Sequence, residues 1–282
     1  MLLFARDGSG DSSWNRGLRL RRCAEVSDDG LPWGYGALMI VFLHGVPETA
    51  QLWDRLRAQL EQPSIALGLP GFGRARPEGF TATKDAYVEW LVAELTALGE
   101  PVDLVGHDWG AGLTYRVATA VPQLLRSWVA DIANVIHPDY RWHDFAQIWQ
   151  TPGEGEAFMA QRLEAQPDDA AALFEMFGVD HEAAVAMARE NDATMSDCIL
   201  DLYRSATPNI AALWPSVTGA SPVPGLVLCP SDDPFGDEAM SQAVATSLGA
   251  QHRNLPGLSH WWPLQDPAGS ARVIEEFVKS HS

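Results

Sequence analysis

The stretch Val102-Asp103-Leu104-Val105-Gly106-His107-Asp108-Trp109-Gly110-Ala111-Gly112 limits what this chain can fold into more than any other. Its apolar start, Val102 to Val105, reads as a buried strand. Gly106 and Gly110 then bracket Asp108 in the spacing Gly-x-nucleophile-x-Gly, which suits a sharp strand-to-helix turn. The two glycines leave room for neighbouring backbone, and the central side chain stands exposed at the C-terminal end of the strand. Serine is the usual occupant of that place, and here it is aspartate. An aspartate that attacks a saturated carbon becomes an ester, which water can cleave at the carboxyl carbon. A serine would become an ether, with no carbonyl for water to attack. A strand, a loop and an N-capping Asp would account for the same residues, so the motif needs support from the rest of the chain.

Around this stretch, strands and helices alternate. Met39 to Leu43 and Ser64 to Leu67 read as short buried strands, with Leu52, Trp53, Leu56 and Leu60 at helical spacing between them. Thr83 to Leu98 predicts an amphipathic helix with Tyr87, Trp90, Leu91, Leu95 and Leu98 inward. A helix runs from Trp109 towards Val121 and is stopped by Pro122. Ser127 to Ala133, Val223 to Cys229 and His252 to Leu255 read as further strands, and Glu238 to Leu248 and Pro267 to Lys279 as helices. This alternation implies an α/β fold, a mostly parallel sheet with helices on both faces. Ligands of such sheets sit at the carboxyl ends of the strands.

From His137 to about Leu213 strand runs vanish and helical spacing takes over, as in Phe145/Ile148/Trp149, Ala171 to Phe177, Ala183 to Met187 and Ile199/Leu202/Tyr203. We therefore expect a helical cap over 137–213, inserted in a core of 37–136 and 214–282. The cap is acid-rich, with Arg141, Arg162, Arg189 and Arg204 as its bases. Residues 1–36 read as a poorly defined leader in which Leu18 to Cys23 could form one short strand. Leu69-Pro70-Gly71-Phe72-Gly73 is not a dinucleotide fingerprint, because Arg76 stands where a third glycine is needed.

A length of 282 residues suits one α/β domain carrying an insertion. The formal charge of −18 argues against nucleic acid or an anionic membrane surface as partner. It also disfavours strongly anionic substrates, unless a local Arg overrides it. Cys23, Cys198 and Cys229 are odd in number and far apart, so they suit neither a disulfide framework nor a zinc site, and a reducing cytoplasm is expected. No segment reaches the ~18 apolar residues of a membrane span, and the N-terminus lacks the continuous apolar run of a signal peptide. His137, His143, His181, His252 and His281 have no partners at metal-ligand spacing. Nothing in the sequence bears on oligomeric state.

Three loops, each after a strand, offer Asp108, then Asp232-Asp233, then His260. Nucleophile, acid, histidine is the chain order of a nucleophile-elbow triad. His260 would take a proton from the water that attacks an Asp108 ester, and the acid would hold its tautomer and stabilise the imidazolium. Asp233, just before Pro234, is preferred to Asp232 as that acid. The ester oxygen needs two donors when it becomes an oxyanion. The backbone N–H groups of Trp109, at a helix N-terminus, and of Val46, after His44-Gly45, are the candidates. Glu48 reads as favouring the first turn of its helix, and His44 and His107 as structural groups held by neighbouring backbone.

His44-Gly45-Val46-Pro47, Leu69-Pro70-Gly71-Phe72-Gly73, Gly106-His107-Asp108-Trp109-Gly110, the Asp233 loop and Gly257-Leu258-Ser259-His260-Trp261 together resemble the α/β-hydrolase epoxide hydrolases and their haloalkane and haloacid dehalogenase relatives. The resemblance runs from about residue 39 to the end. It implies a cofactor-independent hydrolase that opens an epoxide to a vicinal diol through an alkyl-aspartate ester, acting on a small neutral apolar molecule and water. Leu202-Tyr203-Arg204-Ser205-Ala206 resembles the segment that carries a cap tyrosine in epoxide hydrolases, so Tyr203 is expected to donate to the epoxide oxygen. The second such tyrosine precedes a Gln-x-Pro-Gly turn. Gln150-Thr151-Pro152-Gly153 matches that turn, but Phe145 stands where the phenol is expected; Tyr140 is a nearby substitute. Phe145, Trp149 and Trp261 are expected to wall the pocket.

The alternative is a haloalkane dehalogenase with the same Asp-His-Asp triad. Its halide would be held by N–H donors such as Trp109, with Trp142 or Trp149 in place of the family's first-turn Asn, where Val46 stands. Asp131 occupies a position that some dehalogenases use for the acid. Trp109 and Gly112 stand where fluoroacetate-type enzymes carry arginines, which argues against a short haloacid. A non-catalytic hydrolase-like binding protein is a third reading, for which a broken triad would be the sign.

Overall fold

The apolar runs join in one six-stranded parallel sheet in the computed structural model, which describes residues 39–214, 217 and 219–281. The strands are β1 (Ile40–Leu43), β2 (Ser64–Leu67), β3 (Val102–Gly106), β4 (Leu125–Ala130), β5 (Gly225–Pro230) and β6 (Gln251–Leu255), in the order β2-β1-β3-β4-β5-β6. The strand order therefore reverses between β1 and β3, where parallel sheets open a crevice at their carboxyl ends. The register brings three loops to that crevice. Leu43 pairs with Gly106, and Gly106 with Ala130, so the chain leaves β1, β3 and β4 at one level.

The helices are α1 (Asp54–Arg57), α2 (Lys84–Ala97), α3 (Trp109–Ala120), α4 (Asp144–Gln150), α5 (Glu154–Glu164), α6 (Pro167–Glu175), α7 (His181–Arg189), α8 (Ala193–Ser205), α9 (Ile210–Leu213), α10 (Glu238–Leu248), α11 (Trp262–Gln265) and α12 (Pro267–Lys279). Side chains alternate across the central strands, as a pleated sheet requires. Val41, Leu43 and Leu104 join one buried cluster with α2, α3 and α10, whereas Ile40, Phe42 and Val105 join a second with Trp53, Trp262 and α12. Covering both faces is what buries every residue of β1 and β3, with Asp103 of β3 paired to Arg126 and the Ser127 hydroxyl. Helices α4–α9 lie between β4 and β5 and contribute to both clusters.

Several boundaries differ from the sequence reading, each for a local reason. β4 stops at Ala130 rather than Ala133, because Ile132 takes a left-handed turn (φ 35°) and a 3-10 turn follows over Ala133–Ile136. Apart from Asn134, those residues are apolar because the loop is buried, not because it is strand. α6 begins at Pro167, ahead of its apolar run, with proline in its first turn and Asp168 and Asp169 beside the positive end of the helix. Trp90 and Leu98 of α2 are only half-buried, while Lys84 is buried, its ammonium over the Trp214 ring at 4.7 Å. Leu18 to Cys23 and the rest of 1–36 lie outside the described residues. Among those described, no helix is long and apolar enough to cross a membrane, and Cys198 and Cys229 are free and buried.

Candidate active site

Asp108 sits at the turn between β3 and α3 with φ 50° and ψ −118°, a backbone conformation that non-glycine residues rarely adopt. The turn closes because its flanks are glycines. A Cβ on Gly106 would fall 2.4 Å from the Gly110 carbonyl oxygen, and one on Gly110 would fall 2.3 Å from that of Leu43. The carboxylate of Asp108 is largely enclosed, with its side chain 13% exposed. Oδ1 accepts the Val46 N–H at 2.7 Å, and the Trp109 backbone N–H also acts on the carboxylate. Oδ2 lies 4.0 Å from His260 Nε2. Burial chiefly pushes Asp108 up to about 6, and the charge of Glu48 adds to this against the pull of His260 and His107.

His260 follows β6 and Asp233 follows β5, and the parallel sheet brings the two loops together. His260 Nδ1 donates to Asp233 Oδ2 at 2.9 Å, which leaves Nε2 unprotonated in the neutral ring and turned towards Asp108. Asp233 Oδ1 accepts the Phe235 N–H at 2.8 Å. Burial works against charge on both partners, but their mutual attraction and hydrogen bond prevail, raising His260 and lowering Asp233. Asp232, the competing acid, is exposed and bonded to the Ser231 hydroxyl.

Beneath this pair lies a second ionic group that the sequence reading missed. His107 is not held by backbone. Its Nδ1 donates to Asp131 Oδ2 at 2.5 Å and its Nε2 to Glu48 Oε1 at 3.1 Å, so both ring nitrogens carry protons. Burial opposes that charge, yet the two carboxylates raise His107 well above the ordinary value. Asp131 therefore pairs with His107 rather than with His260, and its Oδ1 accepts the Asp108 backbone N–H at 3.0 Å. Glu48 is not a surface helix-end charge. It is 1% exposed, accepts the Gly45 N–H and the Trp261 indole N–H, and is held down to about 2 by His107 despite its burial. A metal would find atoms of Glu48, His107 and His260 within 4.8 Å of one another, but it would have to displace the protons of His107. His44 does behave as expected: Nε2 accepts the Leu69 N–H, Nδ1 donates to Gly45 O, and burial lowers it to about 4.

Two cavities meet at Asp108. One is bordered by Val46, Phe145, Trp149, Tyr203, His260 and Trp261. The other is bordered by Trp109, Ile132, Tyr140, Trp142 and Ile210. His143 and Phe235 border both. Val46, Trp109, Tyr140, Phe145, Trp149, Tyr203, His260 and Trp261 thus all border the space around Asp108, with Asp233 behind His260. Burial first, then the nearby Asp108 carboxylate, push both phenols up. The Tyr203 ring is wedged between Trp109, Trp142 and Trp149, at centroid distances of 5.3, 5.2 and 4.8 Å. In the sequence His143 stood out only as a histidine without partners at metal-ligand spacing. It caps α4, accepting the Ala146 N–H at Nδ1, and burial lowers it to about 4, so its ring is neutral with the proton on Nε2.

Residues 40–273 match the model of a family described as "Alpha/beta hydrolase family". A haloalkane dehalogenase of Mesorhizobium japonicum is 28% identical over 60% of this chain and 52% of its own length. The chain spans about half the length of this and the next curated relative it matches. Epoxide hydrolase 3 of Xenopus tropicalis is 24% identical over 90% of this chain and 76% of its own. A structure of a putative epoxide hydrolase from Pseudomonas aeruginosa superposes with a TM-score of 0.73, at 20% identity, over 87% of this chain and 89% of that one. This chain belongs to the alpha/beta hydrolase family.

Proposed function

We propose that the protein opens an epoxide to a vicinal diol through an ester on Asp108, with helices α4–α9 as the cap over the site. The observation that carries the reading is the pair of phenols, Tyr203 and Tyr140, bordering the cavities that meet at Asp108. Asp108 Oδ2 attacks an epoxide carbon, the ring C–O bond breaks, and Tyr203 gives its proton to the departing oxygen. Burial keeps that phenol protonated at neutral pH, as an acid requires. Tyr140 stands in for the phenol that Phe145 lacks.

Ester formation removes the Asp108 charge, one of the influences that raise His260, so the imidazole releases its proton more readily and more of it stands neutral, able to accept one from water in the second step. His260 Nε2 takes a proton from water, and the hydroxide adds to the ester carbonyl carbon. The Val46 and Trp109 N–H groups hold the oxyanion on Oδ1; collapse expels the alkoxide on the original Oδ2, which takes the His260 proton and leaves as the diol, and the proton left on the Asp108 carboxyl restores the Tyr203 phenol.

A second reading, haloalkane dehalogenation by the same ester, draws on a different observation. The indole N–H of Trp149 is buried without a partner among the described residues, and that of Trp109 faces the Tyr203 hydroxyl, so a halide could take the first and compete with Tyr203 for the second. Trp142 is not available for that role, since its N–H donates to Ala206 O. A single turnover of styrene oxide in heavy-oxygen water, run beside halide release from a bromoalkane, tests both. Unlabelled diol and no halide are expected. Labelled diol in the first turnover would exclude the ester route, and halide release without diol would select the second reading.

A further inference from the structure

Arg162 stands apart from the other bases of the helical insertion. Arg204 is paired with Glu156 at 2.8 Å, and Arg141 and Arg189 are exposed to water. Arg162, near the end of α5, is half-buried and has no ion pair or hydrogen bond among the described residues. It borders the same cavity as Asp108, His260 and Tyr203, beside the rings of Phe158, Phe174 and Phe177. Burial alone shifts it, down to about 10, and no carboxylate pulls it back, Asp108 included. A guanidinium remains charged at neutral pH even so. A half-buried, unpaired charge at an aromatic cavity is costly unless something brings the opposite charge.

The geometry points to Arg162 as the receptor for a carboxylate on the substrate, whose epoxide lies against Asp108 at another part of the same cavity. The inference rests on the proposed ring-opening and names its substrate class, an epoxide on an apolar chain that ends in a carboxylate. A carboxylate matches the planar fork of a guanidinium with two parallel hydrogen bonds. The apolar wall between suits a hydrocarbon linker. The overall negative charge of the protein would oppose such a ligand at long range, but that opposition is screened over about 10 Å in ordinary salt, and a desolvated contact is not.

The test uses terminal epoxides of hexanoate, octanoate and decanoate, each beside its methyl ester. At the best-fitting length the acid should exceed the ester about 10- to 100-fold in kcat/KM, mainly through KM. Arg162→Gln should bring the ratio near unity, and Arg162→Lys should retain part of it. Equal use of acid and ester by the wild type, or a preference that survives Arg162→Gln, would overturn the assignment. If neither acid nor ester is turned over, the ring-opening reading fails separately. Tryptophan fluorescence titrated with decanoate and decanol then reads the anion site alone. Tighter decanoate binding that Arg162→Gln abolishes upholds Arg162, and equal binding of the two overturns it.

Discussion

His107 and His260 lie with ring centroids 4.7 Å apart, both buried and both bonded to carboxylates, yet they belong to two different layers of the site. The lower layer, Glu48, His107, Asp131 and the indoles of Trp261 and Trp262, is closed: each nitrogen of His107 meets a carboxylate. The upper layer is open: His260 uses Nδ1 on Asp233 and turns Nε2 towards Asp108 across 4.0 Å. Two carboxylates fix a proton on an imidazole permanently, whereas one carboxylate leaves a ring that can exchange it. The closed layer also ties the turn down, through Asp131 on the Asp108 N–H and Glu48 on the Gly45 N–H. In the proposed cycle the lower layer positions and the upper layer reacts.

Replacing the upper histidine should produce the largest effect. In the proposed cycle His260→Gln removes the base for ester hydrolysis and leaves Asp108 able to attack. Turnover should fall about 10³-fold, and intact-protein mass spectrometry after mixing with styrene oxide should find one substrate mass added to the chain. His107→Gln should give no such adduct. An adduct in the lower-layer variant, or none in the upper, would merge the two layers.

The second effect is on stability. His107→Gln leaves two buried carboxylates without their shared cation, a change that typically costs about 3 to 5 kcal/mol. For a domain of this size that is a fall of about 10 °C in Tm by calorimetry. A loss of a degree or two would mean that water already compensates Glu48 and Asp131.

The sequence made the upper layer legible and the lower one largely not. Asp108, Asp233 and His260 each stand in a loop after a strand, with glycine or proline nearby, so local pattern and chain order point to them. Glu48, His107 and Asp131 stand in loops of the same kind, but nothing local pairs them with one another. Their meaning arises only where the register of β1, β3 and β4 brings three loops to one level. A glutamate near a helix start and a histidine beside a nucleophile each have an ordinary local explanation, and burial reverses both. Strand ends failed for a related reason: Ile132, Ala133, Val135 and Ile136 are apolar because their turn is buried, and apolarity alone does not separate a strand from a buried turn. Arg162 was visible only as one of four insertion arginines, and what singles it out is the lack of a partner, which no sequence displays.

The smallest effect links the two layers through charge. Asp108 must be ionised to attack, and it is raised to about 6, so kcat/KM for an epoxide should fall below about pH 6 on the acid side. Loss of the Tyr203 proton sets the other limit, and that phenol lies well above the ordinary value, so no alkaline fall is expected below about pH 10. Glu48 is one of the groups that raise Asp108. Glu48→Gln removes a negative charge from its surroundings, which makes the Asp108 carboxylate easier to form. The acid limb should therefore move to lower pH, by about a few tenths. A limb that moves to higher pH would show Glu48 acting mainly through His107: with one carboxylate gone, His107 would hold its proton less firmly, and Asp108 would lose a neighbouring positive charge. The direction of this shift separates a lower layer that acts on Asp108 by its own field from one that acts only by keeping His107 charged.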